Sequence, residues 1–219
     1  MVREITLAIE SGIGGGSLSI LEKDLEIDCW TGSYKITKSE ELLSNISELL
    51  AKNSLAKSDL KKIAISSGPG SYTGVRTGIS TAKGLQKSLG LEFYGISALE
   101  AFVLKTNRAG EVFTSFAAGR NQVCWQFFKT DGDRSIENIN TPQISFLKDF
   151  LLTIRKHENA ELIVYKDLIQ TDGEVLIDFG SINPFKIEEN AARYIGLRSL
   201  QVSPSDEIFP VYARDANAV

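Results

Sequence analysis

Apolar and polar residues alternate over positions 3 to 10, and again over Ser17 to Lys23 and Leu25 to Thr31, which predicts three strands. The last two form a hairpin turning at Lys23-Asp24. Gly12 and Gly14-Gly15-Gly16 fill the first turn, more glycine than a hairpin needs. The period then lengthens. Thr37-Lys38-Ser39-Glu40 is a capping box opening a helix through about Lys52, with Leu42, Leu43, Ile46, Leu49 and Leu50 on one stripe. An apolar strand at 63–66 runs into a glycine-rich turn and a helix to about Ser88. A strand at 92–96 follows, and Ser97-Ala98-Leu99-Glu100 is a second capping box, before a helix to about Arg108.

The pattern restarts at Glu111. Glu111 to Ala117 and Val123 to Lys129 predict adjacent strands, with Asp131-Gly132-Asp133 as the exit turn to a short strand near Ile136. Ser145 is expected to cap a helix to about Lys156. A buried strand at Leu162 to Tyr165, a further strand near Val175 to Phe179, and a last helix from Asn183-Pro184 to about Leu197 complete the reading. Three antiparallel strands followed by alternating helices and strands, stated twice, predict an α/β chain of duplicated lobes, residues 1–100 and 101–219, the last helix packing back toward the first lobe. Only the first copy has a glycine-rich strand-to-helix loop, where a two-lobe nucleotide clamp has one in each.

That loop, Ser67-Gly68-Pro69-Gly70-Ser71-Tyr72-Thr73-Gly74-Val75-Arg76-Thr77-Gly78, is the densest signal in the chain. Gly68 and Gly70 permit positive φ, and Pro69 stiffens the bend between them. Ser71, Tyr72 and Thr73 make a first helical turn whose N–H groups offer an anion site. Gly68, Gly70, Ser71, Thr73, Gly74 and Arg76 are therefore anion or nucleotide-loop candidates, together with Glu10 and Ser11 at the end of the first strand. No Lys-Ser or Lys-Thr pair makes the loop a P-loop, and no well-placed acid makes it a dinucleotide fingerprint. The alternative use of the glycines is a tight turn and close packing. Further along, Gly74, Gly78 and Ala82 recur at four-residue steps, which lets another backbone approach, either this protein's own sheet or a partner helix.

The run from Ser66 to Leu85 resembles the signature of the TsaB (YeaZ) family, accessory proteins of threonylcarbamoyladenosine synthesis on tRNA. Weaker echoes are Leu7-Ala8-Ile9-Glu10-Ser11, Ala118-Gly119-Arg120 and Pro210-Val211-Tyr212-Ala213-Arg214. The resemblance implies an actin/Hsp70-like (ASKHA) fold with a mixed sheet in each lobe. It also implies a non-catalytic role beside the TsaD threonylcarbamoyl transferase and a TsaE-like ATPase, modifying ANN-decoding tRNAs. Contact would run through the helices at about 39–52 and 73–88, to the paralogue or to a second copy of the chain, with Leu42, Ile46, Leu49, Gly78 and Ala82 as interface candidates. The chain departs from the family where Glu10 replaces an aspartate and Ala118-Gly119-Arg120 replaces Asp-Ala-Arg. The competing reading is a nucleotide-hydrolysing or phosphotransferring ASKHA enzyme using Glu10 and the Gly68–Gly74 loop.

Composition narrows the chemistry. With 24 Lys+Arg against 28 Asp+Glu, the chain lacks the basic excess of a nucleic-acid binder, so direct tRNA binding is not expected. No 18-residue apolar run suggests a membrane span, and the start shows no signal-peptide core, so a cytoplasmic protein is expected. Cys29 and Cys124 sit in apolar runs and are expected as buried free thiols. The single histidine, His157, follows a helix and is expected to be solvated or capping. One histidine and two unspaced cysteines leave no zinc or protease motif, and the helix at 39–52 lacks the paired histidines by which the resembled paralogue binds metal. No metal and no cofactor of its own is expected. ATP or ADP with magnesium would sit only at a boundary shared with the partner.

Overall fold

The computed structural model describes residues 3–32, 41–133, 135–168, 179 and 182–215. The capping box expected at Thr37-Lys38-Ser39-Glu40 lies outside these residues, as does all but the end of the strand expected near Val175. The chain forms two units: residues up to Ala101 with Glu189–Tyr212, and Phe102–Glu188 with the residues from Ala213.

The first unit carries β1 (Ile5–Glu10), β2 (Ser17–Glu22), β3 (Leu25–Thr31), α1 (Leu42–Lys52), β4 (Leu60–Gly68), α2 (Tyr72–Leu89), β5 (Glu92–Ser97) and α3 (Ala98–Phe102). The second carries β6 (Gly110–Gly119), β7 (Gln122–Thr130), β8 (Ile136–Asn138), β9 (Gln143–Phe146), α4 (Leu147–Ile154), β10 (Glu161–Tyr165) and β11 (Phe185–Ile187). The chain then supplies α5 (Ala191–Ser199) to the first unit and β12 (Arg214–Asp215) to the second.

The first sheet has the order β3-β2-β1-β4-β5. Its hairpin strands are antiparallel, and β4 and β5 join in parallel. In the second sheet, β9-β7-β6-β10-β11 repeats the same directions strand for strand, with β12 beside β9 and β8 also on β7. The duplication expected from the sequence is thus present in the strand pairing.

Side chains on a strand alternate between its faces, so β1 sends Ile5, Leu7 and Ile9 one way. They join Leu18, Ile20, Ile63 and Ile65 in a core closed by Leu42, Ile46, Leu49 and Leu50 of α1 and Val75, Ile79 and Ala82 of α2. Its other face meets α5. Gly196 lies so close that an added Cβ would overlap Leu21 and sit 3.1 Å from the Ala8 methyl. The Ala192 N–H donates to Ser17 Oγ at 3.0 Å, and Asn190 caps α5 by accepting from the Arg193 N–H at 2.8 Å. All six residues of β1 are buried because a helix covers each face. Arg198 of α5, itself buried, donates through Nε to Glu100 Oε1 at 2.8 Å and so ties α5 to α3.

Several local expectations are corrected. The last helix begins after Asn190 rather than at Asn183-Pro184, and Phe185–Ile187 is instead the parallel edge strand β11. Ser145 lies in β9 and caps nothing; its hydroxyl accepts from Trp125 Nε1 at 3.0 Å, and α4 starts after Phe146. His157 is partly solvated, as expected, but its ring also packs edge-on against Phe113 and Phe127, with Nδ1 3.1 Å from Glu111 Oε2. Cys124 is buried, but Cys29 is exposed on β3.

Gly196→Val is expected to destabilise the protein by about 1–3 kcal/mol in urea unfolding, because the added branch overpacks the α5 crossing. Tyr94, on β5, donates to Glu92 Oε2, and burial first, then this bond, pushes its phenol up to about 12. The unfolded chain releases that proton near pH 10. Folding stability is therefore expected to fall between about pH 10 and 12, and Tyr94→Phe to lack this part of the loss.

Candidate functional site

The β4–α2 turn is built by close backbone contact. Gly68 has φ +103°, and an added Cβ would lie 2.5 Å from the Val211 carbonyl oxygen. The peptide Gly68–Pro69 is cis. Gly70 is glycine for space instead: its Cβ would lie 2.8 Å from the Gly12 oxygen, with no positive φ. At Gly74 a Cβ would overlap the Ser11 carbonyl oxygen, and at Gly78 the Ser11 hydroxyl. The gap left by Gly74 and Gly78 is therefore filled by the loop after β1. Hydrogen bonds complete the lock: Ser71 N–H to Gly12 O at 2.8 Å, and Ser11 Oγ to Gly74 O at 2.9 Å.

Glu10 organises that loop. It is 1% exposed, and its Oε1 accepts the N–H groups of Gly12 at 2.7 Å and Ile13 at 2.9 Å. Gly14, Gly15 and Gly16 all take positive φ, which explains the glycine surplus: the loop curls back so that Gly16 N–H reaches Ile13 O, and Gly32 N–H reaches Gly16 O, both at 2.9 Å.

Of the anion candidates, Glu10, Ser11, Ser71, Thr73 and Gly74 line one cavity of about 160 Å³ with Gly12, Gly15, Gly16, Trp30, Leu42, Asn45 and Thr77. Gly68, Gly70 and Arg76 do not. Arg76 lies over the Tyr72 ring, 3.9 Å from its centroid, and donates through Nε to Tyr212 Oη at 2.9 Å. Tyr72 and Tyr212 stack with centroids 5.4 Å apart. With Val211 N–H on Ser67 O at 2.7 Å and Ser205 N–H on Phe93 O at 2.8 Å, they bind the segment 205–212 along β5 and the signature turn. The sequence reading missed this clasp, although Pro210-Val211-Tyr212-Ala213-Arg214 marked its position. It also missed Trp30 and Asn45, which carry no motif, and Thr77, which stands in the signature run but was not singled out.

The interface candidates are corrected. Leu42, Ile46, Leu49 and Ala82 are no more than 8% exposed, and Gly78 is buried against Ser11 and Ile65. All five belong to the protein's own packing because the sheet needs both helices to close its core. Among the described residues, no three or more His, Cys, Asp or Glu side chains gather as a metal site. Ala118, Gly119 and Arg120 lie exposed at the β6–β7 turn, where Gly119 has φ +82°.

A family model described as TsaD, tRNA N6-adenosine threonylcarbamoyltransferase, matches residues 36–158, more than half of the chain. The tRNA threonylcarbamoyladenosine biosynthesis protein TsaB of Bacillus subtilis is 28% identical over 74% of this chain and 70% of its own length. Its counterpart in Buchnera aphidicola subsp. Schizaphis graminum is 25% identical, over 86% and 95%. The chain belongs to the TsaB (YeaZ) family. A Mycobacterium leprae relative, 30% identical, is matched over only 36% of its length, so the chain spans about a third of that protein. In fold, a Pseudomonas aeruginosa protein described as similar to peptidase YEAZ superposes with TM-score 0.65 at 18% identity, covering 96% of this chain and all of that one. The α/β fold of that protein is therefore the fold of this chain, two lobes that each hold a mixed sheet with flanking helices.

Gly74→Val is expected to prevent stable folding, since the obstacle is the Ser11 backbone and cannot rotate away; circular dichroism and thermal melting read this directly. Glu10→Ala leaves the Gly12 and Ile13 N–H groups without their acceptor and is expected to cost about 1–3 kcal/mol. Unchanged stability in Glu10→Ala would show that the carboxylate does not organise the loop.

Proposed function

We propose that this chain is a non-catalytic subunit in the formation of N6-threonylcarbamoyladenosine in ANN-decoding tRNAs. It supports a TsaD-like transferase together with a TsaE-like ATPase. The observation that carries the reading is the use of the signature glycines. Gly70, Gly74 and Gly78 are filled by the backbone and hydroxyl of Ser11 and Gly12, so the loop braces a scaffold rather than cradling phosphates. ATP or ADP with magnesium would then belong to a boundary shared with the partner. The acidic balance of the chain supports leaving the tRNA to another subunit.

The contact is assigned to the outward sides of α1 and α2 in place of their buried stripes. On α2, Ser80, Gly84 and Ser88 are exposed at four-residue steps, flanked by Lys83 and Lys87. Nothing among the described residues lies within 4 Å of an added Gly84 Cβ. A glycine in an exposed helix interior costs about 1 kcal/mol relative to alanine, and here no intramolecular contact requires it. Leu43 is exposed on α1.

Reconstitution with the transferase and ATPase of the same cell tests the role. Modified adenosine is expected only when this chain is present, and ATP turnover by this chain alone is expected to be nil. Turnover by the pure chain would favour the phosphotransfer reading. Gly84→Glu is expected to leave the monomer as stable or up to about 1 kcal/mol more stable, while weakening assembly at least tenfold by titration calorimetry. Ala82→Arg, by contrast, is expected to unfold the monomer. Wild-type assembly by Gly84→Glu would remove the outward face of α2 from the contact.

A further inference from the structure

We propose that the outward side of α2 fits an acidic protein surface, with Arg76 receiving a carboxylate from the transferase partner. This rests on the reading that this side of α2 is the contact, and adds the chemistry it selects.

The Arg76 guanidinium is placed before any partner arrives. Its carbon lies 3.9 Å from the Tyr72 ring centroid, and Nε donates to Tyr212 Oη at 2.9 Å. Tyr212 stacks on Tyr72, and its segment is pinned by the Val211 N–H on Ser67 O at 2.7 Å. The Nε bond uses one of the five guanidinium donors. The planar fork of terminal nitrogens matches the two oxygens of a carboxylate. An arginine ordered only on binding loses rotamer freedom at that moment, whereas this one has lost much of it on folding.

Charge along the helix agrees. Arg76, Lys83 and Lys87 stand on α2 with no Asp or Glu, in a chain of net charge -4. Among the described residues, none of the three forms an ion pair. A partner surface of the same sign would be repelled.

Position joins the two. Arg76, Ser80 and Gly84 are exposed at four-residue steps, so the guanidinium continues the side assigned to the contact. Tyr72 and Tyr212 flank it, 57% and 41% exposed. Rigid tyrosine beside arginine is the composition of binding hot spots. A phosphate would suit the same fork, but the acidic balance of the whole chain opposes the approach of a polyanion such as tRNA. A single carboxylate on a protein surface meets chiefly the local charge, within a Debye length of about 10 Å.

Titration calorimetry of the full chain with the transferase of the same cell, at about 0.05 and 0.3 M salt, tests the assignment. Wild-type affinity is expected to fall as salt rises. Arg76→Glu is expected to weaken assembly at least tenfold and to flatten that salt dependence. Arg76→Lys, which keeps the charge and loses the fork, is expected to weaken it about threefold. Lys87→Glu, remote from the Tyr212 bond, is expected to weaken it severalfold at an unchanged melting temperature, so the test stands even where Arg76→Glu disturbs folding. Assembly lost in Gly84→Glu but kept at wild-type affinity in Arg76→Glu and Lys87→Glu would overturn the acidic partner and leave the contact in place. No assembly by the wild-type chain would overturn both. Binding of tRNA by the wild-type chain that Arg76→Glu abolishes, with transferase affinity unchanged, would make the face a nucleic-acid surface and overturn the assignment.

Discussion

The first unit depends on one approach of backbone to backbone. Residues 11 and 12 lie against the first two turns of α2, where any side chain at Gly74 would occupy the place of the Ser11 carbonyl oxygen. This contact fixes the height of α2 over the sheet. With α2 at that height, Val75, Ile79 and Ala82 reach the β1 and β4 side chains, and α1 closes the remaining side of the core. Close packing of this kind gains little per atom but tolerates no added volume, so its geometry propagates to everything stacked on it.

Glu10 illustrates how one strand-end carboxylate shapes the loop that follows it. At the end of β1 its carboxylate gathers two N–H groups of the following loop, which then leaves the strand tightly enough to meet α2. The glycines on both sides of that meeting serve the same end. The turn retains the glycine richness of a phosphate loop, while its inner space holds polypeptide.

Much of this was legible in the sequence, for reasons that differ by element. The hairpin strands and α2 were visible because one face of each is apolar at a regular period. The duplication was visible because the order of those elements repeats. The start of α5 was misjudged because Asn183-Pro184 is a plausible helix opening, whereas Asn190 caps the helix that forms. The inward stripes of α1 and α2 were legible as apolar, yet periodicity does not tell a core from an interface. The ring contacts of His157 were not legible because its aromatic neighbours come from β6 and β7, distant in sequence. The cavity was only half legible: Thr73 and Thr77 stand in the signature run, but Trp30 and Asn45 join them only through folding.

The placement of α5 has a further consequence during synthesis. A ribosome releases β1 to β5 long before residues 191–199, so the sheet face carrying Ala8 and Leu21 has no cover of its own while the second unit is being made. The first unit, begun first, is completed only after β6 to β11 of the second have been made. During that interval the nascent chain presents a sheet face awaiting its helix, the kind of exposed surface that attracts chaperones and that slow translation prolongs.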